Sequence, residues 1–150
     1  MFSAAPLPAL TPADITLVKD SFRKIVPIGE QVAALFYARL FELDPSLRAL
    51  FRGEMGEQGR KLMAFVATAV ASLEEPDRLT AATRALGARH AGYGARDEHY
   101  VTVGVALLWT LEKGLAGDFT ADVRSAWSRT YAFLASTMIE AARHVRSAAA

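Results

Sequence analysis

Apolar residues recur along this chain at steps of three and four, the period of helices with one buried face, and no stretch alternates every second residue as a half-buried strand does. The first run holds Ile15, Val18, Phe22 and Ile25. Thr11 stands before it as a side-chain cap, Pro12 occupies its first turn and Asp14 follows the cap by three residues, so a helix is predicted to about Val26, with Pro27 as its break. A second helix is predicted over about 28–43. Its core sequence, VAALFYARLF, is apolar on more than one face, which predicts enclosure by other helices. Asp44-Pro45 ends it, because proline disfavours a helical conformation in the residue before it. A short turn over 46–51 and a polar, glycine-containing connection over 52–57 follow. Leu62, Phe65, Val66, Ala69, Val70 and Leu73 mark one stripe of a third helix over about 58–73. An alanine-rich fourth helix is predicted over 78–91, ending in Gly92-Tyr93-Gly94, and a fifth over 97–115. Thr120 caps a sixth over 121–146, with Val123, Trp127, Tyr131, Leu134, Met138 and Ile139 inward. The pattern predicts an all-α chain without internal repeats.

Composition narrows the function classes. At 150 residues and 52% hydrophobic, the chain is long enough and apolar enough for one domain with a substantial core. We expect a flexible lead-in over 1–10, a helical domain over 11–146 and a frayed tail over 147–150. Seventeen basic residues against sixteen acidic ones leave a formal charge of +1, no footprint for nucleic acid or anionic lipid. The absence of cysteine excludes disulfides, zinc knuckles and a thiol nucleophile, and suits a reducing compartment. MFSAAPLPAL lacks the basic region of a signal peptide. The longest apolar run, 101–111, is shorter than the roughly 18 residues of a membrane span, so no membrane partner and a cytoplasmic location are expected.

The chemistry concentrates in residues 86–104, LGARHAGYGARDEHYVTVG. Gly87, Gly92 and Gly94 are expected to leave one side of the His90 imidazole almost bare, so that something large and flat can come close. His99-Tyr100 then opens an apolar run, Val101, Val103, Val105, Leu107, Leu108 and Leu111, able to wall the same space. The stretch reads as half of a haem pocket with His90 on the iron, a good ligand when its other ring nitrogen is held by a hydrogen bond. A lone histidine among alanines is more often an ordinary helix residue with no metal near it. The other residues of the chain must decide.

Taken in order, Leu35-Phe36-Tyr37, Asp44-Pro45 through Leu50-Phe51, Gln58, His90, and His99-Tyr100 through Val103-Gly104 resemble the globin family, specifically bacterial single-domain globins and the haem domains of flavohaemoglobins. The resemblance spans about residues 10–140. It implies a globin fold of six to eight helices around a pocket for haem b, iron protoporphyrin IX. His90 would be the metal ligand, and Phe51, Leu62, Tyr100, Val103 and Leu107 would contact the cofactor. On the distal side it implies Tyr37 as a hydrogen-bond donor to the bound diatomic ligand, Gln58 at the gate seven residues after Phe51, and Leu62 one turn later shaping the cavity. Glutamine donates through its amide but ligates iron poorly, which disfavours permanent bis-histidine coordination and leaves open a ferric state with Tyr37 or water on the iron. The alternatives read from the residues alone are a core phenylalanine at 51, a Tyr37 hydroxyl capped by a backbone carbonyl, and a solvated Lys61 rather than one meeting a haem propionate.

Flavohaemoglobins pair the tyrosine at the position of Tyr100 with a glutamate of the last helix, and the pair polarises the proximal histidine. Aligned through Trp127 and Tyr131, that glutamate position holds Ala142, and Glu140 lies two residues early, turned away by about 200°. A strong proximal push is therefore not expected. His99, beside Asp97 and Glu98, is expected at a helix start facing solvent, and His144 in the tail. The leading reading is a globin that binds O2, NO, CO or similar ligands reversibly. The second is nitric oxide dioxygenase with a separate reductase, since the 150 residues contain no flavin or nicotinamide domain. The third is a haem-free helical interaction or sensor domain.

Overall fold

The computed structural model describes residues 10–149; the expected lead-in over 1–9 and Ala150 lie outside the described residues. Among the described residues six α-helices form: α1 Pro12–Ile25, α2 Gly29–Leu43, α3 Met55–Ala71, α4 Pro76–Gly92, α5 Asp97–Leu115 and α6 Ala121–Ala149. Short 3-10 turns at Val26–Ile28, Pro45–Leu50 and Ala116–Asp118 link three of the junctions. Among the described residues there is no strand, and no helix is long and apolar enough to cross a membrane.

Local chemistry sets most boundaries. In α1, the Thr11 hydroxyl accepts from the Asp14 N–H while the Asp14 carboxylate accepts from the Thr11 N–H, both at 3.1 Å, so two donors at the helix start are satisfied reciprocally. The Asp44 carboxylate accepts from the Ser46 N–H at 3.1 Å and caps the turn after α2. Two boundaries differ from the sequence expectation by three residues. Gly53 adopts φ +80°, which folds the polar connection so tightly that α3 starts at Met55, three residues early. α6 continues through its alanine-rich end to Ala149.

Packing divides the core of the described residues into three clusters. Val18, Ile25, Leu111 and Trp127 lie in one cluster that joins α1, α5 and α6. The Trp127 indole N–H donates to Ser21 Oγ at 2.9 Å inside it. Phe36, Tyr37, Leu40, Leu47 and Ala106 form a second cluster, joined by Phe41, Phe51, Leu62, Val103 and Leu107. Gly87 has a different role from the one expected. A Cβ there would lie 2.5 Å from the Met138 carbonyl oxygen, so its missing side chain lets α4 cross α6 backbone to backbone. The apolar run of α5 is also split: Val101 and Val105, one turn apart, are 71% and 50% exposed, while Val103 and Leu107 face the second cluster. Nor is α2 enclosed all round, since Leu35 and Leu43 are exposed.

Candidate functional site

His90 sits half-buried in the last turn of α4. Its Nδ1 lies 3.0 Å from the Leu86 carbonyl, one turn back along the same helix. A carbonyl can only accept, so this contact places the proton on Nδ1 and leaves the Nε2 lone pair uncommitted. Burial pushes the imidazole below its ordinary pKa, towards the neutral, ligating form, against the opposing pull of the Leu86 hydrogen bond. At Gly92 a Cβ would meet nothing within 4 Å, so the helix is open there. Gly94, at φ +90°, turns the chain from α4 towards α5 beside Leu50.

The second cluster brings together five of the sequence-predicted residues from four parts of the chain: Tyr37 from α2, Phe51 from the turn, Leu62 from α3, and Val103 and Leu107 from α5. The Tyr37 ring meets Phe36 and Phe51 edge-on at 5.1 and 5.2 Å and lies nearly parallel to Phe41 at 6.0 Å. Burial raises its hydroxyl to about 12, so it remains a neutral donor at any ordinary pH. That hydroxyl donates to the Gln58 backbone carbonyl at 3.3 Å. The Gln58 side chain is likewise engaged, its amide donating to the Arg52 carbonyl at 2.8 Å. Phe41 and fully buried Ala106 belong to this group and were not singled out from sequence; the i, i+4 spacing of Tyr37 and Phe41 was the available signal.

Tyr100 falls in a third cluster, with Leu86, Tyr131, Ala135, Met138 and Ile139. Its hydroxyl is buried and has no hydrogen-bond partner, while its backbone carbonyl accepts from the Tyr131 hydroxyl at 2.6 Å. Ala142 is buried, and Glu140 is exposed and paired with Arg84 at 3.3 Å. His99 corrects the sequence reading: it is only 8% exposed, and its Nδ1 accepts from the Arg96 N–H at 3.0 Å. Its charged neighbours suggested exposure, but a side chain in the first turn can fold back onto the cap. His144 and Lys61 are exposed.

This donor set fits a haem, with one imidazole nitrogen saturated by backbone and the other uncommitted, in a chain that also builds an apolar, aromatic cluster around Tyr37 and Phe51. The globin family model matches residues 34–138. The chain is a globin. A globin binds haem and, through it, diatomic ligands, so both follow for this one at that level. Among its relatives, the flavohemoprotein of Xylella fastidiosa strain 9a5c is 31% identical over 133 residues, covering 87% of this chain and 33% of the relative. That of Bordetella pertussis is 31% identical over 144 residues, 94% of this chain and 36% of the relative. This globin therefore spans about a third of the length of the curated relatives it matches. Among solved structures, an engineered carbene transferase built on a candidate nitric oxide dioxygenase of Rhodothermus marinus superposes with a TM-score of 0.84 at 27% identity, over 93% of this chain and 97% of that one. A hexacoordinated heme protein of an anhydrobiotic tardigrade superposes at 0.83 with 17% identity, over 94% and 99%, a likeness of fold.

Proposed function

We propose that this globin holds haem b with His90 Nε2 as the protein ligand to iron, and reversibly binds O2, NO or CO on the face towards Tyr37, Leu62 and Leu107. The carrying observation is the Nδ1 to Leu86 carbonyl contact at 3.0 Å, which orients the ring and fixes its tautomer. The haem supplies the iron at which the diatomic ligand binds. Phe51, Val103 and Leu107 give it apolar contact, and Leu62 limits the room above it. Tyr37 is the distal donor. Its present bond to the Gln58 carbonyl, at 3.3 Å, is longer than a good O–H···O bond, so turning to a partly negative ligand atom exchanges a weak neutral bond for a stronger charge-assisted one. Gln58 is a second donor in reserve, one N–H of its amide being held by the Arg52 carbonyl. Tyr100 packs beneath Leu86 without the acidic partner that would polarise His90.

Absorption spectra of the ferric, ferrous and carbonmonoxy forms test the reading. We expect a Soret band on haem addition that His90→Ala abolishes or shifts, and Tyr37→Phe should speed oxygen dissociation by roughly 10- to 100-fold, the equivalent of about 1.5–3 kcal/mol. Unchanged dissociation would reject Tyr37 as the donor.

The flavohemoprotein relatives favour a second reading, nitric oxide dioxygenation, in which bound oxygen and NO are converted to nitrate with electrons from a separate reductase. Stopped-flow mixing of the oxygenated protein with NO, followed by turnover with a supplied reductase, separates the two: one stoichiometric oxidation without turnover leaves a binding protein.

A further inference from the structure

A groove of about 910 Å³ runs over the outer face of the α2–α3 crossing. At the crossing, a Cβ on Gly59 would lie 3.0 Å from the Ala33 Cβ, so the helices touch there and diverge on either side. Small residues line part of both walls, Gly29, Ala34 and Ala38 on α2 and Gly56 and Ala64 on α3, with Met63 and the charged Glu30 and Arg60 also on the lining. Tyr37 lines this groove and also belongs to the buried cluster with Phe51, Leu62 and Leu107. One aromatic ring therefore stands between an outside groove and the interior.

The two hydrogen bonds that span this region differ in quality. The Gln58 amide holds the Arg52 carbonyl at 2.8 Å, within the good range, and so pins the start of α3 to the preceding turn. The Tyr37 hydroxyl reaches across from α2 to the Gln58 carbonyl at 3.3 Å, beyond the usual range for O–H···O. The weaker latch is the one on the ring.

We propose that diatomic ligands reach the distal space through the α2–α3 groove, with the Tyr37 ring as its door, rather than past the Gln58 side chain. The inference rests on the haem reading above. An uncharged two-atom molecule loses little on entering a mostly apolar groove, and the Tyr37 ring it must displace, though packed on Phe36, Phe41 and Phe51, is tied to α3 only by the long hydroxyl bond. The same residue then meets the ligand inside, so entry and capture are coupled through one χ1 rotation.

The test is carbon monoxide binding to the haem-loaded chain, with association measured after flash photolysis and dissociation by ligand replacement. Ala38 and Ala34 are exposed on α2, so Ala38→Trp fills the groove without entering the core, and Ala34→Leu fills it less. A barrier on the route is crossed in both directions. Ala38→Trp should therefore slow association and dissociation together by about tenfold, equivalent to about 1.4 kcal/mol of barrier, with the equilibrium constant unchanged and a smaller effect for Ala34→Leu. Unaltered rates in a variant with wild-type Soret band and circular dichroism overturn the route. So does a change in one rate alone, which reports a distorted pocket. If Ala38→Trp does not fold, the same pair of rates measured on Ala34→Leu decides between these outcomes. A wild-type chain without a Soret band overturns the haem reading and this inference with it, whereas a normal spectrum with unaltered rates overturns the route alone.

Discussion

At Gly87 a hydrogen atom in place of a methyl group decides how two helices meet. A Cβ would stand 2.5 Å from the Met138 carbonyl oxygen and 2.6 Å from its Cα, both backbone atoms with no flexible end to yield. Gly87→Ala must force α4 from α6, at a cost of about 1–3 kcal/mol or more, visible as a lower urea midpoint. His90 rides on the same helix one turn later, so haem affinity should fall with it. Gly92 is the contrast, because its Cβ would meet nothing within 4 Å. Gly92→Ala should leave stability unchanged or raise it by about 0.4–1 kcal/mol through the unfolded chain. Equal losses at both positions would show that helix packing is not what Gly87 serves. Gly104 repeats the theme in α5: its Cβ would press the Tyr131 ring at 2.8 Å, and that ring is held by its hydroxyl bond to Tyr100.

The helices themselves were legible because their ends carry strong local signals. Thr11, Pro12 and Asp14 start α1 by chemistry confined to four residues, and α5 spans 97–115 as its periodicity predicts. Thr11→Ala removes the hydroxyl that accepts from Asp14 and should cost about 1 kcal/mol in chemical denaturation without changing the spectrum of bound haem. What periodicity cannot give is absolute facing. The whole apolar run of α5, Val101 and Val105 included, reads as able to wall the pocket, and those two point to solvent instead. The start of α3 depended on Gly53 taking a left-handed φ, a tertiary choice that composition does not announce. In the candidate site the residue types were readable and their partners were not. The open ligand nitrogen of His90 depends on Leu86, close in sequence and recoverable as i−4. The hydroxyl of Tyr37 finds the Gln58 carbonyl across two helices, so the alternative of a backbone-capped tyrosine describes what this geometry contains.

For the molecule as a whole, the first helix and the last are joined by one charged contact. The Arg129 guanidinium on α6 donates twice to the Asp14 carboxylate on α1, at 3.1 and 2.7 Å, and the Asp14 side chain is almost entirely buried. That bond and the Thr11 contacts outweigh burial and hold the Asp14 carboxyl down at about 2, against an ordinary 3.8. A depressed carboxylate stabilises the fold fully above its unfolded pKa and loses that contribution as pH falls through the folded one, so the loss is confined to about pH 4 to 2. Because Arg129 is half exposed, the gain is discounted to about 1–2 kcal/mol. Asp14→Asn should therefore be less stable than wild type by about that amount at pH 7, with the two stability curves converging as pH drops to about 2. Trp127 supplies the local readout, since its indole donates to Ser21 on α1 and its fluorescence should respond when α1 leaves α6. If the gap between the two proteins stays constant from pH 7 to 2, the Asp14 carboxylate is not what ties the first helix to the last, and the junction must rest on the apolar contacts of Val18, Phe22 and Trp127 and on the Trp127–Ser21 hydrogen bond.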